Sequence, residues 1–212
     1  MNIQSPKRRY RQSARARAAE ATGRRIVDAF VTQFRERWFD EIRLDDVAGA
    51  AGVTVQTVLR RFGSKEGLLS AMQERMNEKI IQRRAVRPGD HAGTIEALIE
   101  DYEEIGELIM RMLAQEDKYP ALRAFTDAGR AFHRAWIASA FAPALERLSE
   151  DARRRAVDAL VVASDIYVWK LIRRDMTRPI AEYRSLLEKM CAAALGVPRE
   201  EMFENAVSGE SE

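Results

Sequence analysis

Hydrophobic residues recur every three or four positions along most of the chain, which is the spacing of one face of an α-helix. The pattern is clear over residues 22–39, where Ile26, Phe30, Phe34 and Trp38 form a stripe that we expect to pack in a core. Similar stripes, several of them bounded by glycine or proline, predict more helices. These are expected over residues 65–84, 94–115, 120–141, 150–175 and 179–195. The chain is therefore predicted to be all-α.

The stretch from residue 44 to residue 65 predicts two short helices joined by a tight turn. Ala48 is small where the second helix would cross the first, and Gly52 can adopt a positive φ at little steric cost. Val58 would return from the second helix to pack on the first. This pattern is typical of a helix-turn-helix, whose second helix enters the DNA major groove. An ordinary pair of antiparallel helices is the alternative.

Charge is distributed unevenly between the two ends of the chain. The net charge of the whole chain is +2, but residues 1–65 hold 14 Lys and Arg against 7 Asp and Glu, which gives +7. The remaining residues hold 21 against 26, which gives −5. A basic N-terminal part favours a polyanionic partner. Residues 1–20 are predicted to be a flexible basic arm that contacts DNA or, alternatively, only aids solubility.

Few residues are suited to catalysis or metal binding. One cysteine and two histidines allow neither a disulfide framework nor a metal cluster. There is no glycine-rich phosphate loop and no serine elbow, so we expect neither an enzyme nor a cofactor. No apolar run approaches the ~18 residues of a membrane span, and we expect no membrane partner. A cytoplasmic location follows as the natural expectation.

Residues 22–72 resemble the DNA-binding domain of the TetR family of bacterial transcriptional repressors. The resemblance is carried by the AGAAGV turn, the stretch VTVQTVLRRFGSKEGLL and the amphipathic helix before them. It implies an N-terminal three-helix helix-turn-helix domain, joined by a helix to a larger C-terminal helical domain for ligand binding and dimerisation. Leu59 departs from the family, which usually has a phosphate-contacting Tyr there. We expect Leu59 to pack on sugar or a thymine methyl, with Arg60 or Arg61 replacing the phosphate contact.

The second predicted helix supplies most of the candidate DNA contacts. Gln56 and Thr57 are expected to read base edges, and Arg60 to read a guanine or hold a phosphate. Lys65 lies at the start of the next helix, where a cation opposes the helix dipole but suits a bound phosphate. A solvated surface lysine is the alternative. The full set of predicted DNA contacts is Arg43, Thr54, Val55, Gln56, Thr57, Leu59, Arg60, Arg61 and Lys65.

The segment VRPGDHAGT, residues 86–94, predicts a domain boundary, because proline and glycine interrupt helices. We therefore divide the chain into an arm (1–20), a DNA-binding domain with its connecting helix (21–85) and a second helical domain (86–212). The second domain has more aromatic and Met residues than a DNA-binding head needs, which suggests an apolar cavity. The candidate ligand-binding residues are Tyr102, Ile105, Ile109, Met112, Phe125, His133, Trp136, Asp165 and Trp169.

For each of these residues an ordinary core position is the alternative. Asp165 is the most informative, since it interrupts apolar positions on a predicted continuous helix, and a buried Asp needs a partner. Asp101 and Glu104 are further possible polar anchors.

The last two predicted helices, within residues 150–196, resemble the pair that TetR-family proteins use to form a four-helix dimer interface. Packing within one chain is the alternative. We therefore expect a homodimeric repressor that binds a palindromic double-stranded operator and is released by an unknown small apolar or amphipathic ligand. The alternatives are a DNA-binding regulator without a pocket, controlled by a protein partner, and an enzyme that carries a helix-turn-helix.

Overall fold

The computed structural model describes the backbone of residues 6–203 and side chains from residue 15 to residue 203. This part of the chain is helical and contains no β-strand, which confirms the all-α prediction. The helices are α1 (Pro6–Glu36), α2 (Leu44–Ala51), α3 (Val55–Phe62), α4 (Lys65–Arg83), α5 (His91–Leu113), α6 (Pro120–Ala140), α7 (Ala142–Leu145), α8 (Glu150–Ala163), α9 (Ile166–Lys170), a π-helical turn (Leu171–Asp175), α10 (Ile180–Leu195) and α11 (Arg199–Phe203).

The chain divides into two compact units, Met1–Met76 and Asn77–Glu212. The division falls inside α4, earlier than the boundary that the sequence predicts between residues 85 and 86. The side chains of α4 explain the difference. Leu68 and Met72 in its first half are buried with no exposed surface, whereas Arg83 near its end pairs with Asp101 of α5.

The first unit is built on the apolar stripe of α1, with one correction to the sequence prediction. Ile26, Phe30 and Phe34 have no exposed surface, as expected. Trp38 is wrong as a core residue, because α1 ends at Glu36 and the side chain is 44% exposed. Phe39 takes the buried position instead and meets the Phe34 ring edge-on at 5.9 Å between centroids.

Helix α1 begins at Pro6, within the stretch 1–20 that the sequence predicts to be a flexible arm. Proline suits the first position of a helix, since the N–H that it lacks has no intrahelical partner there. Residues 1–5 and the side chains of Arg8, Arg9 and Arg11 lie outside the described residues. Arg15 and Arg17 are exposed on the helix.

The second unit packs α5, α8, α9 and α10 around large buried side chains. Trp169 of α9 and Tyr183 of α10 have no exposed surface. Gly106 of α5 faces Trp169, and a Cβ at residue 106 would overlap the indole ring. The absence of a side chain at residue 106 therefore allows the two helices to cross closely. The glycine itself costs about 1 kcal/mol of helix propensity relative to Ala.

The predicted continuous helix over residues 150–175 is wrong, because the chain breaks between α8 and α9. Asp165 is the N-cap of α9, and its side chain accepts a hydrogen bond from the Tyr167 N–H at 2.8 Å. This half-buried carboxylate thus satisfies a helix-terminal donor. A ligand is not needed to explain an Asp at this position.

The C-terminal end of the described chain packs into the core of the second unit. Met202 and Phe203 of α11 are each 8% exposed and belong to the same hydrophobic core as Trp169 and Tyr183. Among the helices of residues 6–203, none has the length and apolar composition needed to cross a membrane.

Candidate functional site

The turn between α2 and α3 has the geometry that the sequence predicts. Gly52 has φ +65°, and the Val53 N–H donates to the Ala48 carbonyl at 3.0 Å. Thr54 then caps α3, since its hydroxyl accepts from the Thr57 N–H at 3.3 Å. A left-handed residue followed two positions later by a helix cap gives a sharp reversal, because the first ends one helix and the second starts the next.

The faces of α3 are set by Val58, which is 1% exposed and packs inward. Gln56 and Arg60 lie one helical turn apart on the opposite face, and both are exposed. Leu59, at 38% exposure, lies at the edge of that face. The outward surface of α3 therefore presents an amide, a guanidinium and an apolar side chain, which are groups that read or contact DNA in the major groove.

Two predicted DNA contacts are less exposed than Gln56. Thr57 is half-buried, and its hydroxyl lies 3.1 Å from the Thr54 hydroxyl at the helix cap. Val55 is also half-buried. Both lie towards the inner side of α3 relative to Gln56. Arg43, just before α2, is exposed and forms no capping bond there.

Arg61 does not share the outward face of Gln56 and Arg60. Its guanidinium lies against Gly23 of α1, where an added Cβ would overlap it. The same guanidinium lies 5.9 Å from the ring centre of Phe62. Both arginines predicted to replace the missing family Tyr at residue 59 are exposed, but only Arg60 lies on the same outward face as Gln56.

Lys65 has a structural role that its sequence context does not predict. Its Nζ donates to the Phe39 carbonyl at 2.6 Å and to the Ile42 carbonyl at 3.2 Å, and it lies 4.6 Å from the Phe39 ring centre. Burial lowers the pKa of its ammonium group. A cation at this helix start is thus explained without a phosphate. These bonds use two of the three ammonium hydrogens.

A family model described as bacterial regulatory proteins, tetR family, matches residues 26–72. The match runs from the buried stripe of α1 through α2 and α3 to Met72 of α4. Residues 26–72 therefore form a DNA-binding domain of the TetR type. Its helix-turn-helix is formed by α2 and α3, as expected of a DNA-binding transcriptional regulator. No curated protein matches the sequence.

Solved structures extend the similarity beyond the matched segment. A TetR-family transcriptional regulator from Streptomyces coelicolor superposes with a TM-score of 0.65 and 18% identity, and covers 91% of each chain. A protein assigned to the TetR family from Rhodococcus sp. gives a TM-score of 0.65 and 19% identity, over 82% of this chain and 98% of that one. A third, from Mesorhizobium loti, gives 0.62 and 21%, over 84% and 96%. At these identities the likeness establishes the fold.

The second unit brings several predicted ligand residues together. Tyr102 and Trp169 lie 6.2 Å apart between ring centres, and His133 and Trp136 lie 6.3 Å apart. Asp165 caps α9, and the Trp169 indole donates to Glu103 at 2.7 Å. Ile105, Met112 and Phe125 are buried, and Ile109 is partly buried against the same core as Tyr102.

Arg84 is the centre of this region, although no sequence pattern points to it. It follows the last residue of α4 and is 8% exposed. Its Nε donates to Asp101 at 2.5 Å, and its Nη1 lies 3.2 Å from His133 Nδ1. Asp101 has no exposed surface and also pairs with Arg83 at 2.5 Å. An arginine at a helix end has no sequence signal that distinguishes it from a solvated one, so only the fold reveals its burial.

The hydrogen bonds around His133 fix its protonation. A guanidinium only donates, so His133 Nδ1 accepts from Arg84 and a neutral ring carries its proton on Nε2. His133 Nε2 lies 3.0 Å from the Ser164 hydroxyl, which donates to the Leu160 carbonyl at 2.7 Å. Burial, with a smaller effect from Arg84, lowers the pKa of His133 to about 3. His133 is therefore a neutral link in a buried polar network.

Proposed function

We propose that this TetR-family regulator is a homodimeric repressor that binds a palindromic operator through α3 and is released by a small molecule. The observation that carries the DNA-binding part is the outward face of α3, where Gln56 and Arg60 stand opposite the buried Val58. In this proposal Gln56 reads a base edge, and Arg60 contacts a guanine or a phosphate. Arg43 and the exposed Arg15 and Arg17 contribute positive charge near the DNA backbone.

Dimerisation is proposed through residues 150–196. Several large apolar side chains within this range are exposed and would be available to form an interface with a second chain. They are Val162 at 67%, Tyr167 at 54%, Leu171 at 51%, Met176 at 48%, and Ile180 and Leu186 at 41% each. A two-fold dimer would place two copies of α3 in successive major grooves about 34 Å apart, which requires an operator with inverted half-sites.

We propose that a ligand binds in the second unit and favours a conformation with lower operator affinity. Such a ligand shifts the population only to the extent that it binds one conformation more tightly. The aromatic residues around Arg84 support a binding region there. In this proposal the protein acts as a regulator in the cytoplasm and catalyses no reaction.

The alternative is a regulator controlled by a protein partner. It is favoured by the tight packing of Trp169 against Gly106, which fills part of the region where the sequence predicts a cavity. A ligand that changes operator affinity in the absence of any other protein would exclude this alternative.

A gel shift with the DNA that flanks the gene tests the DNA-binding assignment. Wild type should bind a fragment with an inverted repeat, and Gln56→Ala combined with Arg60→Ala should lose most of that affinity. Asn77→Ala, at an exposed position of α4, serves as the matched control and should bind like wild type. Unchanged affinity of the double variant would show that α3 does not read the operator.

A further inference from the structure

We propose that the aromatic side chains around Arg84 form a binding site for a flat organic cation, such as an amidinium or a guanidinium, and that the Arg84 side chain occupies this site when no ligand is bound. This inference rests on the proposed ligand-responsive function and names the chemical class of the ligand. The ligand would replace the Arg84 guanidinium, and no bond would be made or broken.

Three aromatic rings surround the guanidinium. Its central carbon lies 4.5 Å from the ring centre of Trp136, 5.8 Å from that of Phe132 and 5.9 Å from that of Tyr102. A cation within about 6 Å of a ring centre is attracted by the negative face of the ring. A delocalised, weakly hydrated cation gains most from such a site, because little hydration is lost when it enters.

Fixed negative charge lies beside the rings. Asp101 has no exposed surface and accepts hydrogen bonds from both Arg84 and Arg83 at 2.5 Å. Among the described residues, ion pairs connect Asp101 to further acidic and basic side chains. These are Glu100 and Glu104 on one side and Lys79, Arg83 and Arg84 on the other. Withdrawal of Arg84 would remove one of the two cations that pair with the buried Asp101, and a monovalent cation would take its place.

The rings are held in place by contacts that do not involve the Arg84 guanidinium. The Tyr102 hydroxyl donates to the Ser164 carbonyl at 3.0 Å, and the Trp136 indole donates to the Arg84 carbonyl at 2.9 Å. The first bond joins α5 to the end of α8. The second involves the main-chain carbonyl of Arg84 and not its side chain. The site would therefore keep its shape after the Arg84 side chain leaves, as a preorganised binding site must.

One wall of the site is open to solvent. Phe132 is 37% exposed and Trp136 is half-buried, whereas Arg84 is 8% exposed. A ligand can reach the rings from the side of α6. Arg84 itself belongs to the connection between α4 and α5. Its long side chain can leave the site by rotating about its own bonds.

Competition with Arg84 sets the affinity that a small probe should show. The apparent affinity equals the affinity of the vacant site multiplied by the fraction of molecules in which the site is vacant. Minor conformations are typically populated at no more than about 10%. Removal of the Arg84 side chain should therefore tighten the binding of a cationic probe by at least about tenfold.

Calorimetric titration of the full-length protein tests the proposal. Benzamidinium is the cationic probe and benzamide, which has a similar shape but no charge, is the matched control. We expect wild type to bind benzamidinium saturably and not benzamide. Arg84→Ala should bind it at least about tenfold more tightly. Arg84→Gln keeps a hydrogen-bonding side chain beside Asp101 and replaces Arg84→Ala in this titration if Arg84→Ala does not fold.

Two further variants link the probe to this site. Trp136→Ala should lose the binding, whereas Arg134→Ala, an exposed arginine on the same helix, should bind like wild type. Absence of saturable binding to wild type, equal binding of the two probes, or binding that Trp136→Ala leaves intact would each overturn the proposal.

Operator release is measured separately, by gel shift with saturating benzamidinium. Cation binding that follows the expected pattern while the operator stays bound would support the site and contradict the proposed ligand-released repression. The two proposals can therefore fail independently.

Discussion

Gly67 in the first turn of α4 lies directly against the carbonyl oxygen of Phe62 at the end of α3, and a Cβ at residue 67 would overlap that oxygen. The obstacle is main chain, so it cannot move aside as a flexible side chain would. The contact brings the start of α4 against the end of α3. The orientation of α3 thus depends on the absence of a side chain five residues after its own last residue.

Gly67→Ala should therefore destabilise the protein by more than about 3 kcal/mol, since the backbone of α3 or α4 must shift. Thermal unfolding followed by circular dichroism measures the effect. Gly129→Ala is the matched control, because residue 129 is exposed in α6 with open space around its Cβ position. The control should gain up to about 1 kcal/mol from helix propensity. Similar unfolding temperatures for the two variants would contradict the prediction.

Arg60 and Arg61 should contribute unequally to DNA binding. Arg60 points outward from α3, whereas Arg61 lies against Gly23 of α1. Arg60→Ala should weaken operator binding by about 1–3 kcal/mol, and Arg61→Ala by clearly less. Fluorescence anisotropy measures both affinities, and repeating it at several salt concentrations shows whether either arginine neutralises a phosphate. An equal or larger loss of affinity for Arg61→Ala would mean that the DNA contact is assigned to the wrong arginine.

Lys65 should stabilise the first unit even without DNA. Lys65→Met removes the donor to the Phe39 and Ile42 carbonyls and should cost about 1–3 kcal/mol. Urea denaturation of the free protein measures this loss. Lys79→Met, which removes an exposed lysine paired with Glu104, should cost no more than about 1 kcal/mol. If Lys65→Met weakens operator binding but leaves stability unchanged, the phosphate contact that the sequence suggests is the main role of Lys65.

Stability should fall as the pH is lowered below the ordinary pKa of histidine. Burial lowers the pKa of His133 from 6.5 to about 3, so between these values the unfolded chain binds a proton that the folded chain does not. Stability is therefore fully present above pH 6.5 and is lost progressively towards pH 3. Between pH 7 and pH 5 this one group should cost about 2 kcal/mol.

The pH effect is isolated by comparing wild type with His133→Gln in urea titrations at pH 7 and pH 5. His91, whose pKa is also lowered by burial, and the paired carboxylates remain in both proteins. The variant should be less stable at pH 7 because a buried hydrogen-bonded ring is lost, but it should lose less on acidification. Equal losses in the two proteins would mean that His133 accepts a proton in the folded state.

The exposed apolar residues of the last helices should hold two chains together. Val162→Asp places a charge on a side chain that is 67% exposed in one chain and, in the proposed dimer, covered by a partner. Light scattering should give twice the chain mass for wild type and a monomer for the variant. Ala131→Asp, at an exposed position of α6, is the control and should remain dimeric. A monomeric wild type at micromolar concentration would contradict the half-site model.

The sequence by itself was sufficient to predict the all-α class and the helix-turn-helix, because these depend on neighbours within a few residues. It did not predict the break at Asp165 in the helix expected over residues 150–175. The turn at Gly52, the cap at Thr54 and the stripe of Ile26, Phe30 and Phe34 are local patterns, and each has the expected structure. Trp38 was misplaced because the sequence pattern continues past Glu36, where the helix itself ends.

The partners of side chains far apart along the chain were decided only by the tertiary structure. Lys65 meets the Phe39 carbonyl across 26 residues, and Arg84 meets His133 across 49. Charged side chains such as these are rarely buried without a partner, and the sequence does not show the partner. The buried network around Arg84, and with it the proposed cation site, follows from helix packing that brings together α5, α6 and the ends of α4 and α8.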